Sequence, residues 1–242
     1  MSKPKVLILR TAGTNCDYET DYAFQLAGAQ TSLIHINQLI NNQVTLNDHS
    51  IMAIPGGFSY GDDIAAGILL ANELKFKLIE QIIEFVDQGG LILGICNGFQ
   101  ILCEAGLLPG VLMRNNHLEF RCQWTNIKVE NINNAFASDC YEGQVLKVPI
   151  SHGEGNYYVD QNTYKDLESR GQIVFRYCDV NGDVNDPSNP NGSVGNIAGI
   201  SNADGNVFGM MPHPERCCEG LLGGEDGRVI FGSMLNSITA VQ

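Results

Sequence analysis

Cys96 stands between Gly94 and Gly98 in the run Leu91-Ile92-Leu93-Gly94-Ile95-Cys96-Asn97-Gly98-Phe99-Gln100. The residues before it are uncharged and read as a strand buried on both faces. After it, Phe99, Leu102 and Cys103 recur at helical spacing, and Gly106 closes the segment as a helix C-cap. A thiol at a sharp strand-to-helix turn, with glycines two residues to either side, has the layout of a nucleophile elbow in which cysteine replaces the serine of G-x-S-x-G. The glycines remove bulk where the turn is tightest. The helix N-terminus favours a thiolate through its unpaired N–H groups and its dipole. The Asn97 N–H is placed to donate to an oxyanion.

A thiol of this kind needs a base. Met211-Pro212-His213-Pro214-Glu215 holds a histidine between two prolines, with a carboxylate two residues on to orient the imidazole. Ser151-His152-Gly153-Glu154-Gly155 is the rival pair, in a glycine-rich turn, and Cys16 is the rival nucleophile, with no small-residue elbow around it. The five histidines are scattered and no pair has an i, i+4 ligand spacing, so no metal site is expected. Asp179 to Asp186 resembles the start of an EF-hand loop but has Val184 at the sixth position and Pro190 at the twelfth. The glycine-rich stretch from Pro55 to Asp62 lacks the Lys-Ser/Thr ending of a P-loop.

Strands and helices must hold these groups in place. Val6–Leu9, Leu33–Ile36, Ile51–Ile54 and Leu91–Ile95 read as strands, separated by helices over about Asp17–Ala27 and Leu74–Val86. That alternation predicts an α/β fold with a mostly parallel sheet and helices on both faces. Ligands of such sheets bind outside the carboxyl ends of the strands, so Asn15–Asp17, Gly56–Phe58 and Cys96 should gather there. Beyond Gly110 the strands 127–130, 145–150, 157–160, 173–179, 197–201 and 207–211 have no long helices between them. They read as a short antiparallel region on the sheet edge, followed by a last helix over roughly Asp226–Ala240. No linker or repeat interrupts the chain, so residues 1–242 are expected to form a single domain.

Composition narrows the class. With 44% hydrophobic residues, 17% charged residues and a net charge of −13, the chain has the make-up of a globular protein whose acidic surface suits neither nucleic acid nor anionic membrane. There is no signal-peptide pattern and no apolar run near the ~18 residues of a membrane span. The eight cysteines have no disulfide-like or C-x-x-C spacing. Reduced thiols and a cytoplasmic location are expected.

Gly94-Ile95-Cys96-Asn97-Gly98-Phe99-Gln100 together with His213-Pro214-Glu215 resembles the class I (triad) glutamine amidotransferases. Four further stretches make the resemblance narrower, to the glutaminase subunits of phosphoribosylformylglycinamidine synthases of purine biosynthesis. They are Gly13-Thr14-Asn15-Cys16-Asp17, Pro55 to Asp62, Pro149 to Gly155 and Asn189 to Ser193. The resemblance implies a flavodoxin-like class I glutaminase fold. It also implies a glutaminase in which Cys96 forms a γ-glutamyl thioester, His213 moves the proton and Glu215 orients it. Gly57 and Asn97 would then supply the oxyanion-hole N–H groups, and Gln100 would help hold L-glutamine. The ammonia would pass to a large synthetase subunit, with a small accessory subunit in the same complex. No cofactor is implied on this chain; ATP and Mg belong to the synthetase partner. The Gly56-Gly57 peptide would turn at little steric cost, which suggests that its N–H is reoriented when a partner docks. Two other readings share the elbow: a glutaminase of another amidotransferase pathway, and a cysteine hydrolase of the DJ-1/PfpI kind. The second typically places its histidine directly after the elbow cysteine, where this chain has Asn97.

Overall fold

The computed structural model describes residues 3–62 and 64–240. The first half of the chain alternates β1 (Lys5–Arg10), α1 (Asp17–Ala27), β2 (Gln30–His35), α2 (Ile36–Ile40), β3 (Ile51–Ile54), α3 (Ile68–Glu73), α4 (Ile79–Asp87), β4 (Leu91–Ile95) and α5 (Asn97–Glu104). The second half adds β5 (Val111–Met113), β6 (Arg121–Val129), β7 (Val145–His152), β8 (Asn156–Tyr158) and α6 (Gln161–Ser169). It ends with β9 (Ile173–Cys178), β10 (Ile197–Ser201), β11 (Val207–Met210) and α7 (Arg228–Ala240).

Nine strands make one sheet in the order β2-β1-β3-β4-β11-β10-β9-β6-β7. The first five of that order run parallel, and the others join antiparallel. The parallel part has the flavodoxin-like order, two-one-three-four and then the last strand. Every residue of β3 and β4 is buried, which is why these strands carry uninterrupted apolar runs. Phe24 of α1 meets Phe231 of α7 edge to face at 4.9 Å, and α3 packs on α5. The result is an α/β fold whose parallel strands open their carboxyl ends onto one crevice.

Several boundaries differ from the sequence expectation, each for a physical reason. β2 starts at Gln30, because this edge strand has no buried residue and its extent is set by pairing with β1 from Lys5 to Arg10; Ile36, expected to end it, already opens α2. The helix expected over 74–86 begins at Ile68 and passes through a π turn at Leu74–Leu78, which leaves both of those leucines in the core. Of the strands expected on the sheet edge, β6 and β7 run longer than their apolar residues suggest, β6 reaching back to Arg121 through exposed residues; β8 instead pairs with β5 outside the main sheet, and β11 enters that sheet parallel to β4. The polar helix α6 was not expected at all. Its only buried residue is Leu167, and its start is set by the Asp160 side chain accepting from the N–H groups of Asn162 and Thr163.

Candidate active site

At the end of β4 the chain turns through Cys96 at φ 51° and ψ −105°, then enters α5 directly. A non-glycine residue held at positive φ stores about 1–3 kcal/mol, and such strain is tolerated where neighbours fix it. Here the Cys96 N–H donates to Met210 O at 2.8 Å, across to β11. A Cβ on Gly98 would lie 1.9 Å from Ile54 O, and one on Gly94 would lie 2.7 Å from the Gly98 carbonyl, so both glycines are fixed by close approach. Cys96 is 6% exposed, and its Sγ contacts Ser151 O at 3.7 Å. Among the described residues the Asn97 N–H has no acceptor.

His213 follows β11 by three residues. Its N–H donates to Pro149 O at 2.8 Å, and Pro214 starts a single 3₁₀ turn that brings Glu215 back beneath the ring. The imidazole Nδ1 and Glu215 Oε1 are 2.6 Å apart, both fully inside the protein. Burial alone would pull His213 down. Glu215, Cys96 and Cys16 outweigh it and hold the imidazole well above the ordinary histidine value. Nε2 has no hydrogen-bond partner among the described residues.

Gly57 sits at φ +146°, where a side chain would run into Asn15 N and Gly13 O at 2.6 Å. A Cβ on Gly56 would meet His213 Cε1 at 2.8 Å, Cys16 Sγ at 3.2 Å and Cys96 Cβ at 3.4 Å, so this glycine lets loop and triad touch. The Gly56 carbonyl accepts from the N–H groups of Asn15 (3.3 Å) and Cys16 (3.1 Å). The trans peptide therefore turns the Gly57 N–H the opposite way, where it meets no acceptor among the described residues. Reorienting this plane breaks two hydrogen bonds. The inexpensive rotation expected from its glycines is not inexpensive here.

The Asn97 side chain does what its position in the sequence did not reveal. Its Oδ1 accepts from the Ser59 N–H at 3.1 Å and from the Ser59 hydroxyl. Its Nδ2 donates to Gln100 Oε1 at 2.9 Å and reaches Asp62 Oδ1 at 3.4 Å. One amide thus ties the elbow helix to the 58–62 loop, in which Tyr60 and Asp62 also hold positive φ. Gln100 Nε2 donates to Glu154 O at 2.7 Å, joining α5 to the 151–155 turn.

Cys96, His213, Gly57 and Gln100 line one cavity of about 520 Å³, together with Cys16 and His152. Cys16 lies against the His213–Glu215 pair and lines the cavity with Cys96, the neighbour that the strand topology predicted for it. Its Sγ accepts from Arg216 Nη2 at 3.1 Å, while burial pushes its thiol up. His152 is 3% exposed, neither ring nitrogen has a partner, and burial with His213 nearby drives it down to about 3. Cys16, His213 and Glu215 present donor atoms within 4.8 Å of one another, the one such metal-capable group among the described residues. Linear spacing hid it, because the residues come from opposite ends of the chain. Glu215 already occupies His213 Nδ1, and the Arg216 guanidinium stands beside the sulfur where a dication would have to sit.

Residues 3–223 match the family of CobB/CobQ-like glutamine amidotransferase domains. A Moorella thermoacetica protein named phosphoribosylformylglycinamidine synthase subunit PurQ is 51% identical over 225 residues, covering 93% of this chain and 92% of its own. The Pyrococcus horikoshii protein of the same name is 44% identical over 231 residues, covering 96% of this chain and 97% of its own. A chain in the structure of PurLQS from Thermotoga maritima superposes with a TM-score of 0.84 at 39% identity, covering 98% of this chain and all of that one. The glutaminase domain of Trypanosoma brucei CTPS, at 10% identity and a TM-score of 0.59, shares the fold; the alignment covers 98% of this chain and 94% of that one.

Proposed function

This chain belongs to the CobB/CobQ-like glutamine amidotransferase family, among the PurQ subunits of phosphoribosylformylglycinamidine synthase, and from that premise we propose how its cavity works. It is a glutaminase subunit of that synthase and serves purine biosynthesis with a PurL synthetase as its partner. The substrate is L-glutamine. The Cys96 sulfur attacks the side-chain amide carbon, and the thiol proton passes to His213. Glu215, 2.6 Å from Nδ1, stabilises the imidazolium that results. The oxyanion is held by the N–H groups of Gly57 and Asn97, a contribution worth ~10²–10³-fold for each donor. His213 returns the proton to the departing nitrogen, ammonia leaves, and a γ-glutamyl thioester remains on Cys96. Water, deprotonated by His213, then releases glutamate and restores the thiol.

Gln100 lines the cavity, but its amide already bridges Asn97 and Glu154. It acts on glutamine through its remaining N–H and lone pair and by fixing the cavity wall. The chain holds no cofactor of its own; ATP and Mg serve the synthetase, and a small accessory subunit completes the complex. No helix among the described residues is long and apolar enough to cross a membrane; the reaction is placed in the cytoplasm as part of this proposal. One sheet continuous from β2 to β7 accords with a single domain over 1–242.

The observation that carries this reading is the buried His213–Glu215 pair set against a strained cysteine at a helix N-terminus. The test is glutamate release by the chain in complex with the synthetase, with acid-trapped acyl-enzyme mapped by mass spectrometry. Acylation at Cys96, abolished in Cys96→Ala, is expected. Glutamate release that survives Cys96→Ala would overturn it.

A further inference from the structure

Eight cysteines are free in this chain, and two of them, Cys16 and Cys96, line the cavity of about 520 Å³. They come from separate βα units. Cys96 is the residue from which α5 starts, and Cys16 holds the same place at the start of α1. The glutaminase reaction uses one of these thiols. The other is buried beside the same imidazole and has no step in it.

Gly56 keeps the two thiols in reach of each other. The point where its Cβ would stand has three nearest neighbours: His213 Cε1 at 2.8 Å, Cys16 Sγ at 3.2 Å and Cys96 Cβ at 3.4 Å. Cys16 Sγ is therefore no farther from Cys96 Cβ than the sum of the last two contacts, and the missing side chain leaves a gap that both cysteines border. Cys16 Sγ, a His213 ring nitrogen and a Glu215 carboxylate oxygen lie within 4.8 Å of one another, and both thiols favour the protonated form of His213. Arg216 fixes the Cys16 sulfur: its Nη2 donates to Sγ at 3.1 Å, while its Nε stands 3.3 Å from Glu19 Oε1. One base thus serves two thiols, and a guanidinium holds the second in place.

A cysteine at a helix N-terminus beside an imidazolium is the kind that peroxide oxidises, and a sulfenic acid condenses with a neighbouring thiol. Resting on the reading of Cys96 as the glutaminase nucleophile, we propose that Cys96 and Cys16 form a reversible modification site: hydrogen peroxide converts Cys96 to a sulfenic acid, and Cys16 closes on it as a disulfide. In the first step the Cys96 sulfur attacks one peroxide oxygen. The S–O bond forms as the O–O bond breaks, and the departing hydroxide takes the proton from His213 and leaves as water. Cys96 is oxidised by two electrons and the peroxide is reduced. In the second step the Cys16 sulfur attacks the Cys96 sulfur, the S–S bond forms and the S–O bond breaks. His213, now neutral, passes the Cys16 proton to the hydroxide, which leaves as a second water. Reaching the ~3.5–4.5 Å between Cβ atoms that a disulfide needs draws Cys16 into the gap beside Gly56. The disulfide blocks glutamine hydrolysis and keeps Cys96 from the irreversible sulfinic acid, and a dithiol reductant restores both thiols by exchange.

The test exposes the chain, in complex with the synthetase, briefly to hydrogen peroxide and maps its cysteines by mass spectrometry. Glutamate release is read before and after dithiothreitol, each variant against its own untreated rate. The native chain should yield a Cys16–Cys96 linked peptide, lose glutamate release in step with the linkage, and regain most of it with dithiothreitol. Cys16→Ser should carry Cys96 on to the sulfinic acid and regain little. Cys103→Ser, which alters a buried thiol outside the cavity, should behave as the native chain does. Saturating glutamine, which occupies Cys96, should slow the linkage. A native chain whose Cys96 becomes sulfinic without a linkage, links to another cysteine, or resists peroxide would overturn the proposal, and so would a Cys16→Ser chain that recovers as fully as the native one. The native mapping decides the matter even where Cys16→Ser fails to fold. Acylation of Cys96 by glutamine in a chain that forms no linkage would leave the glutaminase reading intact; glutamate release by Cys96→Ala would overturn that reading whatever the linkage.

Discussion

Cys96 shares the chain with seven other thiols, and their surroundings sort them. Burial pushes Cys140 and Cys178 up to about 11 and Cys217 to about 12, and raises Cys16, Cys103 and Cys218 as well. Cys122 is exposed but has no base beside it. A glutamine-analogue electrophile should therefore label Cys96 alone, as read by peptide mapping; primary labelling of Cys16 would exchange the two assignments. The two cavity histidines respond to pH in opposite senses. His213 is raised by its partners, so the stability it adds is fully present below its unfolded value of about 6.5 and is lost as pH rises through its higher folded value. His152 is depressed to about 3, so it costs stability progressively as pH falls from about 6.5 toward that value. Urea midpoints should show Glu215→Gln falling furthest behind the native chain on the acid side of neutrality. They should show His152→Gln losing less than the native chain between pH 6.5 and 4. A gap for Glu215→Gln that did not change with pH would refute the first assignment. At this scale the sequence was informative where chemistry is local: Cys96 with its glycines, and His213 with Glu215, are each read within a few residues. The approach of Cys16 to Cys96 was legible only as a consequence of topology, its contact with His213 was not legible, and the Asn97 side chain was not either, because its partners lie in a loop that spacing does not connect to it.

The elbow helix works as an anchor for the 58–62 loop. Asn97→Ala leaves the Ser59 N–H and hydroxyl without their acceptor and frees Gln100 Oε1. Buried groups so orphaned cost about 1–3 kcal/mol. The variant should lose that much stability, show faster amide exchange over residues 59–62, and turn over glutamine more slowly because the loosened segment directly follows Gly57 and Phe58. Unchanged exchange there would show that the loop is held by other contacts. Gly98→Ala should be harsher. Its Cβ would fall inside the Ile54 carbonyl, so α5 must lift from β3, and a drop in melting temperature is expected along with lost glutaminase activity. Elements were legible where burial dictates residue type. β3 and β4 were read to the residue because burial on both faces makes each an uninterrupted apolar run, and α1 because Gly28 closes it. α6 and the outer half of β6 were not, since their surfaces face solvent and hydrogen bonding alone, with the Asp160 cap for α6, defines them.

The molecule as a whole decides how strongly the synthetase can control this active site. Turning the Gly56-Gly57 plane would break hydrogen bonds from Asn15 and Cys16, so the Gly57 N–H keeps its orientation without help from a partner. The isolated chain should accordingly hydrolyse glutamine, with the synthetase raising kcat by less than the ~10²–10³-fold of a missing oxyanion donor. A larger gain in steady-state kcat would mean that docking does rotate the plane. The sheet order carries another consequence. β11 lies in the interior of the sheet, between β4 and β10, yet it is the last strand in the chain, and it leads directly into His213. On the ribosome Cys96 emerges long before His213, the base proposed for it, and the slot beside β4 stays open until the final strand is inserted. A nascent or truncated polypeptide that stops before that strand has the Cys96 thiol but neither His213 nor Glu215. A nascent chain should therefore acquire the proposed pairing of Cys96 with His213 only when its final strand is in place.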